Sequence, residues 1–207
     1  MYKIQTLNNI SVRGLERLPR DAYEIASDIT APDAIMVRSF KMHDMSLPDS
    51  VKAIGRAGAG TNNIPVPAMS KRGVVVFNAP GANANAVKEL VIAGMLLASR
   101  NIHQALRFVD QLEGDDASVS KMVEDGKKKY VGIELPGRSL GVIGLGAIGV
   151  RVANSALDLG MQVIGFDPAM TVDNAWRLSA GVKQAVSVDD VLSRSQFVSL
   201  HVPLIDA

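Results

Sequence analysis

The stretch Leu140 to Gly149 is an apolar run that breaks into Gly144-x-Gly146-x-x-Gly149. Each glycine in that spacing has a use. Gly144 permits a tight turn out of a strand. Gly146 lacks the Cβ that would keep a diphosphate off the backbone. Gly149 lets a following helix pack closely on the strand. Val150, Val152, Ala153, Ala156 and Leu157 continue at helical spacing. The anion would sit at the helix N-terminus, where free N–H groups and the positive end of the helix dipole point at it. A second apolar run, Met161 to Phe166, ends in Asp167, about 20 residues past the glycines, where a carboxylate can grip ribose hydroxyls. A turn that merely ends a strand would also read Asp167-Pro168. In the ribose role the carboxylate repels a 2′-phosphate, which favours NAD over NADP. Among 18 glycines the spacing alone is weak; the strand before it, the helix after it and the acid beyond it add specificity.

A second group of residues suits a small anion. Arg38-Ser39 follow the apolar run Ala34 to Val37, and Arg56 closes Lys52 to Arg56 before the loop Ala57-Gly58-Ala59-Gly60-Thr61-Asn62-Asn63. Asn78 to Gly81 ends a further run, Val74 to Phe77, and Asn83 follows. Guanidinium groups bind carboxylate or phosphate in two-pronged fashion, and small residues leave amides accessible. Strand-end arginines that merely face water are the alternative. The three histidines, His43, His103 and His201, have no carboxylate at an acid–base spacing. His201 lies at a strand end next to the expected cofactor. There is no cysteine, no metal-ligand spacing and no Gly-x-Ser-x-Gly elbow.

These loops need a layered scaffold. Tyr2 to Leu7, Tyr23 to Ala26, Ala34 to Val37, Lys52 to Arg56 and Val74 to Phe77 read as strands, with helical segments at Ser11 to Leu18 and Pro67 to Lys71. Strands alternating with helices predict parallel strands in an α/β architecture, where ligands bind beyond the C-terminal strand ends. Apolar residues on much of the Ala84–Ala98 surface predict a mostly buried helix, and Ile102 to Leu112 a second one. Residues 113–129 read as an exposed crossover with a short helix at Val119 to Glu124. Strands at Val182 to Val186 and Gln196 to His201 flank a helix at Val188 to Leu192. The expected division is 1–99, a linking segment at 100–134, and a dinucleotide unit at 135–207. That unit is expected to be incomplete, with about four of the roughly six strands of a doubly wound domain.

Composition narrows the partners. The chain has 207 residues, 47% hydrophobic and 21% charged, with a net charge of +1. This describes a globular α/β chain with no basic excess to suggest nucleic acid. No apolar run reaches the ~20 residues of a membrane span and no signal-peptide pattern opens the chain, so a cytoplasmic location is expected.

Val37-Arg38-Ser39, Gly55-Arg56-Ala57-Gly58-Ala59-Gly60-x-x-Asn63-Ile64, Phe77-Asn78-x-Pro80, Gly144-Leu145-Gly146-x-Ile148-Gly149 and His201-Val202-Pro203-Leu204 occur in that order. The set resembles the D-isomer-specific 2-hydroxyacid dehydrogenase family along essentially the whole chain. The resemblance implies a flavodoxin-like substrate domain followed by a Rossmann NAD-binding domain, truncated here. It implies NAD-linked oxidation of 3-phospho-D-glycerate to 3-phosphohydroxypyruvate in serine biosynthesis. The alternatives are a glyoxylate or hydroxypyruvate reductase type, or a non-catalytic dinucleotide-binding relative. By the resemblance, Arg38 contacts substrate phosphate with help from Ser39. Amides of Gly58, Ala59 and Gly60 meet the carboxylate, Ala59 also touches the cofactor, and Asn83 is a polar substrate contact. Ala147 and Ile148 form the diphosphate turn, Asp167 is the ribose acid, and Pro203 lies beside the cofactor with His201 and Val202. Asn62 departs from the acidic residue many relatives carry. The family's catalytic arginine, glutamate and histidine fall beyond the fourth cofactor-domain strand, so no catalytic residue is expected in this chain. A homodimer through the Ala84–Leu112 region is also implied.

Overall fold

A computed structural model describes residues 1–202. The chain divides into two compact units, Met1–Asn83 and Ala84–Ala207. The division falls earlier than the expected 99–134 boundary, because the helix from Ala84 packs with the second unit's core.

The first unit contains β1 (Tyr2–Leu7), α1 (Val12–Leu15), β2 (Tyr23–Ala26), β3 (Ala34–Val37), β4 (Ala53–Arg56), α2 (Val66–Lys71) and β5 (Val75–Phe77). All strand pairs are parallel and the order is β2-β1-β3-β4-β5. This is the flavodoxin-like order, with its switch point between β1 and β3. Ile35, Val37 and Ile54 are fully buried, and with Met42, Leu47, Val51, Ile64, Met69 and Val74 they form one core. Burying each such aliphatic side chain contributes about 1.5–3 kcal/mol, and the parallel register turns that burial into a common strand-end edge. Arg72 closes a loop at the sheet's side, donating to the carbonyls of Leu47 (3.0 Å) and Pro48 (3.2 Å).

The second unit begins with α3 (Ala84–Ser99), α4 (Ile102–Val109) and α5 (Asp116–Gly126), followed by a 3-10 turn at Lys127–Tyr130. Then come β6 (Ser139–Ile143), α6 (Gly149–Asp158), β7 (Gln162–Phe166), α7 (Val172–Arg177), β8 (Lys183–Gln184), α8 (Val188–Arg194) and β9 (Phe197–Leu200). The parallel sheet runs β8-β7-β6-β9, the first four positions of the doubly wound nucleotide fold, with the switch point between β6 and β9. Leu140, Val142, Val152, Ala153, Ala156 and Val163 are buried together beneath Met95 of α3.

Some helices differ from expectation, for local reasons. α5 is longer than predicted because the side chain of Asp115 accepts from the N–H of Ser118 and starts it early. The sequence reading did not predict α7; its start is Thr171, whose hydroxyl accepts from Asn174 N–H. α3 is not mostly buried. Only Ala84, Met95 and Ser99 are buried, while Leu90 is 73% exposed and Leu97 45%.

Candidate functional site

In the first unit the parallel strands deliver their C-terminal ends to one edge. Arg38 and Ser39 leave β3, and Arg56 ends β4, whose Arg56 is in register with Val37. Gly58, Ala59 and Gly60 follow Arg56 directly, so the predicted anion residues lie together on adjacent strand ends. The Gly58 loop is built by its own backbone. Ala57 N–H donates to Val37 O (2.8 Å), Gly58 N–H to Arg56 O (2.9 Å), and Ala79 N–H to Gly58 O (2.9 Å). Asn78 Nδ2 donates to Ala59 O at 2.7 Å, which ties the β5 exit to the same loop.

The Gly58 N–H donates to the Arg56 carbonyl within the loop. Among the described residues the amides of Ala59 and Gly60 have no such backbone partner. Arg56 Nε is buried without a partner, a donor that an anion in this loop would satisfy. Asn83 stands exposed just before α3. Asn8, which the sequence reading passed over, holds the Arg38–Phe40 turn from the end of β1; the signal was an asparagine directly after an apolar run, a residue type that tolerates positive φ.

In the second unit the glycine turn sits at the switch point. Gly144 has φ +90°, and its N–H donates to Phe166 O at 2.9 Å. A Cβ there would lie 2.7 Å from the main-chain oxygen of His201, so the β9 exit packs directly on the turn. A Cβ on Gly149 would overlap the carbonyl oxygen of Gly144, and that close approach lets α6 start against β6. Gly146 differs: among the described residues a Cβ there meets nothing within 4 Å. Among the described residues, the open space beside Gly146, just before the first turn of α6, fits a diphosphate.

Asp167 stands at the end of β7. Its Oδ2 accepts from Leu145 N–H (2.8 Å) and its Oδ1 from Ala169 N–H (2.8 Å). The carboxylate is thus fixed beside the glycine turn, with lone pairs left on each oxygen for two ribose hydroxyls. Asp167 borders a cavity of about 640 Å³ lined by Leu145, Met170, Leu178, Val182 and Ala185 and also by Lys183 and Gln184. Ser199 on β9 and His201 just after it lie close together, with Ser199 Oγ 2.9 Å from His201 Nε2. Burial pushes the His201 imidazole below its ordinary value, so the ring is neutral near pH 7. Val202 is exposed after it. Pro203 lies outside the described residues.

The model of the D-isomer specific 2-hydroxyacid dehydrogenase, NAD binding domain, matches residues 92–207. D-3-phosphoglycerate dehydrogenase of Methanocaldococcus jannaschii is 38% identical over 184 residues, covering 87% of this chain and 33% of that protein. The chain thus spans about a third of the length of the curated relatives it matches. Among solved structures, NAD+-bound 3-phosphoglycerate dehydrogenase of Entamoeba histolytica superposes with a TM-score of 0.67 at 26% identity, over 99% of this chain and 63% of that one. The holo form of Rhodotorula graminis D-mandelate dehydrogenase does so at 0.78 and 23%, over 99% and 66%, a likeness of fold. From its glycine turn, its fixed acid and these matches, the chain belongs to the D-isomer specific 2-hydroxyacid dehydrogenase family, and residues 92–207 fall in that family's NAD-binding domain.

Proposed function

We propose that this chain is the substrate- and NAD-binding part of a D-3-phosphoglycerate dehydrogenase, which oxidises 3-phospho-D-glycerate to 3-phosphohydroxypyruvate in serine biosynthesis. The observation that carries the reading is the pair of arginines, Arg38 and Arg56, at neighbouring strand ends of a flavodoxin-like unit. The 38% identity to a phosphoglycerate dehydrogenase supports it.

The division of labour follows from residue chemistry. Arg38, with the Ser39 hydroxyl, takes the phosphate. Arg56 and the amides of Ala59 and Gly60 take the carboxylate, Ala59 reaches toward the cofactor as well, and Asn83 adds a polar contact. Gly144, Gly146, Ala147, Ile148 and Gly149 seat the diphosphate, Asp167 the adenosine ribose, and His201, Val202 and Pro203 flank the cofactor. Bound NAD supplies the acceptor for the hydride leaving the hydroxyl-bearing carbon. By the resemblance, none of residues 1–207 matches the family's acid–base histidine or its glutamate. Residues 1–83 form the substrate domain in this reading.

The exposed apolar side chains of α3 and α4, among them Leu90, Leu97, Leu106 and Val109, support a homodimer through these helices. Among the described residues no helix is long and apolar enough to cross a membrane, and we place the protein in the cytoplasm.

The test is calorimetric titration of the 207-residue chain with NAD and with 3-phospho-D-glycerate, beside glyoxylate and hydroxypyruvate. The expected result is binding of NAD and a preference for the phosphorylated acid that is lost in Arg38→Ala. Equal affinity for glyoxylate would favour the reductase reading instead.

A further inference from the structure

At the first unit's switch point, Asn8 does something that the anion chemistry above leaves unused. It follows β1, in the left-handed region at φ 67°, which asparagine tolerates better than most residues. Its Oδ1 accepts from Ser39 N–H (3.0 Å) and from Phe40 N–H. From the β4 side, Asn63 Nδ2 donates to Phe40 O (2.8 Å) and Arg38 O (3.4 Å), and Asn63 O accepts from Met42 N–H (2.8 Å). Two side-chain amides, reaching in from the strands on either side of β3, hold the 38–42 turn.

We propose that Asn8 is a positioning and selectivity residue for the anion gripped by Arg38 and Ser39: a neutral acceptor that fixes their turn without placing a negative charge beside the ligand. The inference rests on the reading above that Arg38 takes the substrate's phosphate. It has two consequences. The amides of Ser39 and Phe40 are engaged, so the anion is held by the Arg38 guanidinium and the Ser39 hydroxyl rather than by a nest of backbone N–H groups. Also, an aspartate would satisfy the same two N–H groups at least as well, because a charged acceptor bonds more strongly, and it tolerates positive φ about as well. Turn geometry alone gives no reason for the amide over the carboxylate. A bound anion does, through like-charge repulsion.

The experiment uses the whole 207-residue chain as wild type, Asn8→Gly, Asn8→Asp and Arg38→Ala. Hydrogen exchange of the Ser39 and Phe40 amides reads the turn. Calorimetry with 3-phospho-D-glycerate and with inorganic phosphate reads the anion. Asn8→Gly keeps the backbone conformation but removes the acceptor, so both amides exchange about tenfold faster and affinity falls several-fold. Asn8→Asp keeps the amides protected, yet affinity falls about fivefold to tenfold at low ionic strength, a gap that narrows as salt screens the charge. A merely structural role would leave Asn8→Asp binding like wild type, and that result overturns the proposal. So does an Asn8→Gly protein with unchanged exchange and affinity. If the wild type binds neither ligand, or Arg38→Ala binds as well as wild type, the phosphate reading of Arg38 itself fails. The Arg38 control thus separates the two failures.

Discussion

The guanidinium of Arg56 occupies the space that a side chain on Gly58 would need. Gly58 also has φ +152°, a conformation rarely adopted by residues with a Cβ. Glycine at 58 thus permits two things at once: the loop's backbone path and the folding back of Arg56 over it.

Gly58→Ala is therefore expected to displace Arg56 while leaving the buried sheet intact. A strained backbone residue costs about 1–3 kcal/mol, so thermal unfolding should move down by several degrees. Affinity for 3-phospho-D-glycerate should fall about tenfold or more, because an arginine–carboxylate contact is lost. An Arg56→Lys variant on the wild-type loop should lose binding without the drop in melting temperature. Unchanged affinity in Gly58→Ala would remove Arg56 from the site.

Two glycines of the cofactor turn should separate folding from binding. Gly149→Ala sets a Cβ against the Gly144 carbonyl, forcing α6 away from β6. It should lower stability by about 1–3 kcal/mol in denaturant titration, and NAD affinity with it. Gly146→Ala meets nothing within 4 Å among the described residues, so its stability should match wild type within about 0.5 kcal/mol while NAD binding weakens at least tenfold. Full NAD affinity in Gly146→Ala would mean that the diphosphate lies elsewhere.

Asp167 ties the glycine turn to the end of β7. Asp167→Ala deletes the acceptor for Leu145 and Ala169 N–H and, in the proposed reading, the partner of the ribose hydroxyls. NAD should bind more weakly, and the preference over NADP should shrink, since no carboxylate then opposes a 2′-phosphate. Competition titrations of the two dinucleotides measure the ratio. A variant that binds NAD like wild type would contradict the ribose role.

The imidazole of His201 is held below its ordinary value of 6.5 by burial. A depressed folded-state value means that the unfolded chain takes up the proton first as pH falls. The stability supplied by the neutral ring is complete above about 6.5 and declines as pH drops below it. Melting temperature recorded on acidification from neutral pH should fall more steeply for wild type than for His201→Gln. Parallel curves would show that the ring does not titrate differently on folding.

The apolar outer side of α3 predicts self-association. Leu90→Glu combined with Leu97→Glu should convert a dimer to a monomer in sedimentation, with melting measured on the monomer to show that the unit still folds. A monomeric wild type would end the idea.

Much of this fold was legible locally. The parallel strands of both units, the glycine turn and the acid after β7 are specified by neighbours in the chain: apolar runs that must be buried on both faces, and glycines where a Cβ is excluded. The resemblance supplied roles for Arg38 and Ser39 that spacing alone left open, and agreed with the ribose role that spacing suggested for Asp167. Legibility failed where burial depends on partners distant in sequence. The apolar α3 read as buried, yet only the side carrying Val91, Ile92 and Met95 packs on the nucleotide core.

By itself, then, the sequence determined which segments are strands, where the chain turns on glycine, and which charged groups follow the strand ends, because each of these depends on a few adjacent residues. Only the tertiary structure decided that Asn8 reaches Ser39 and Phe40 across the β1–β3 switch point. The same holds for the Gly58 N–H, which donates to the Arg56 carbonyl, and for Gly146, which among the described residues has open space where Gly149 has none. Hydrogen bonds between the loops of neighbouring strands, and the space left over a turn, are set by strand order and register, and these come from packing the whole sheet.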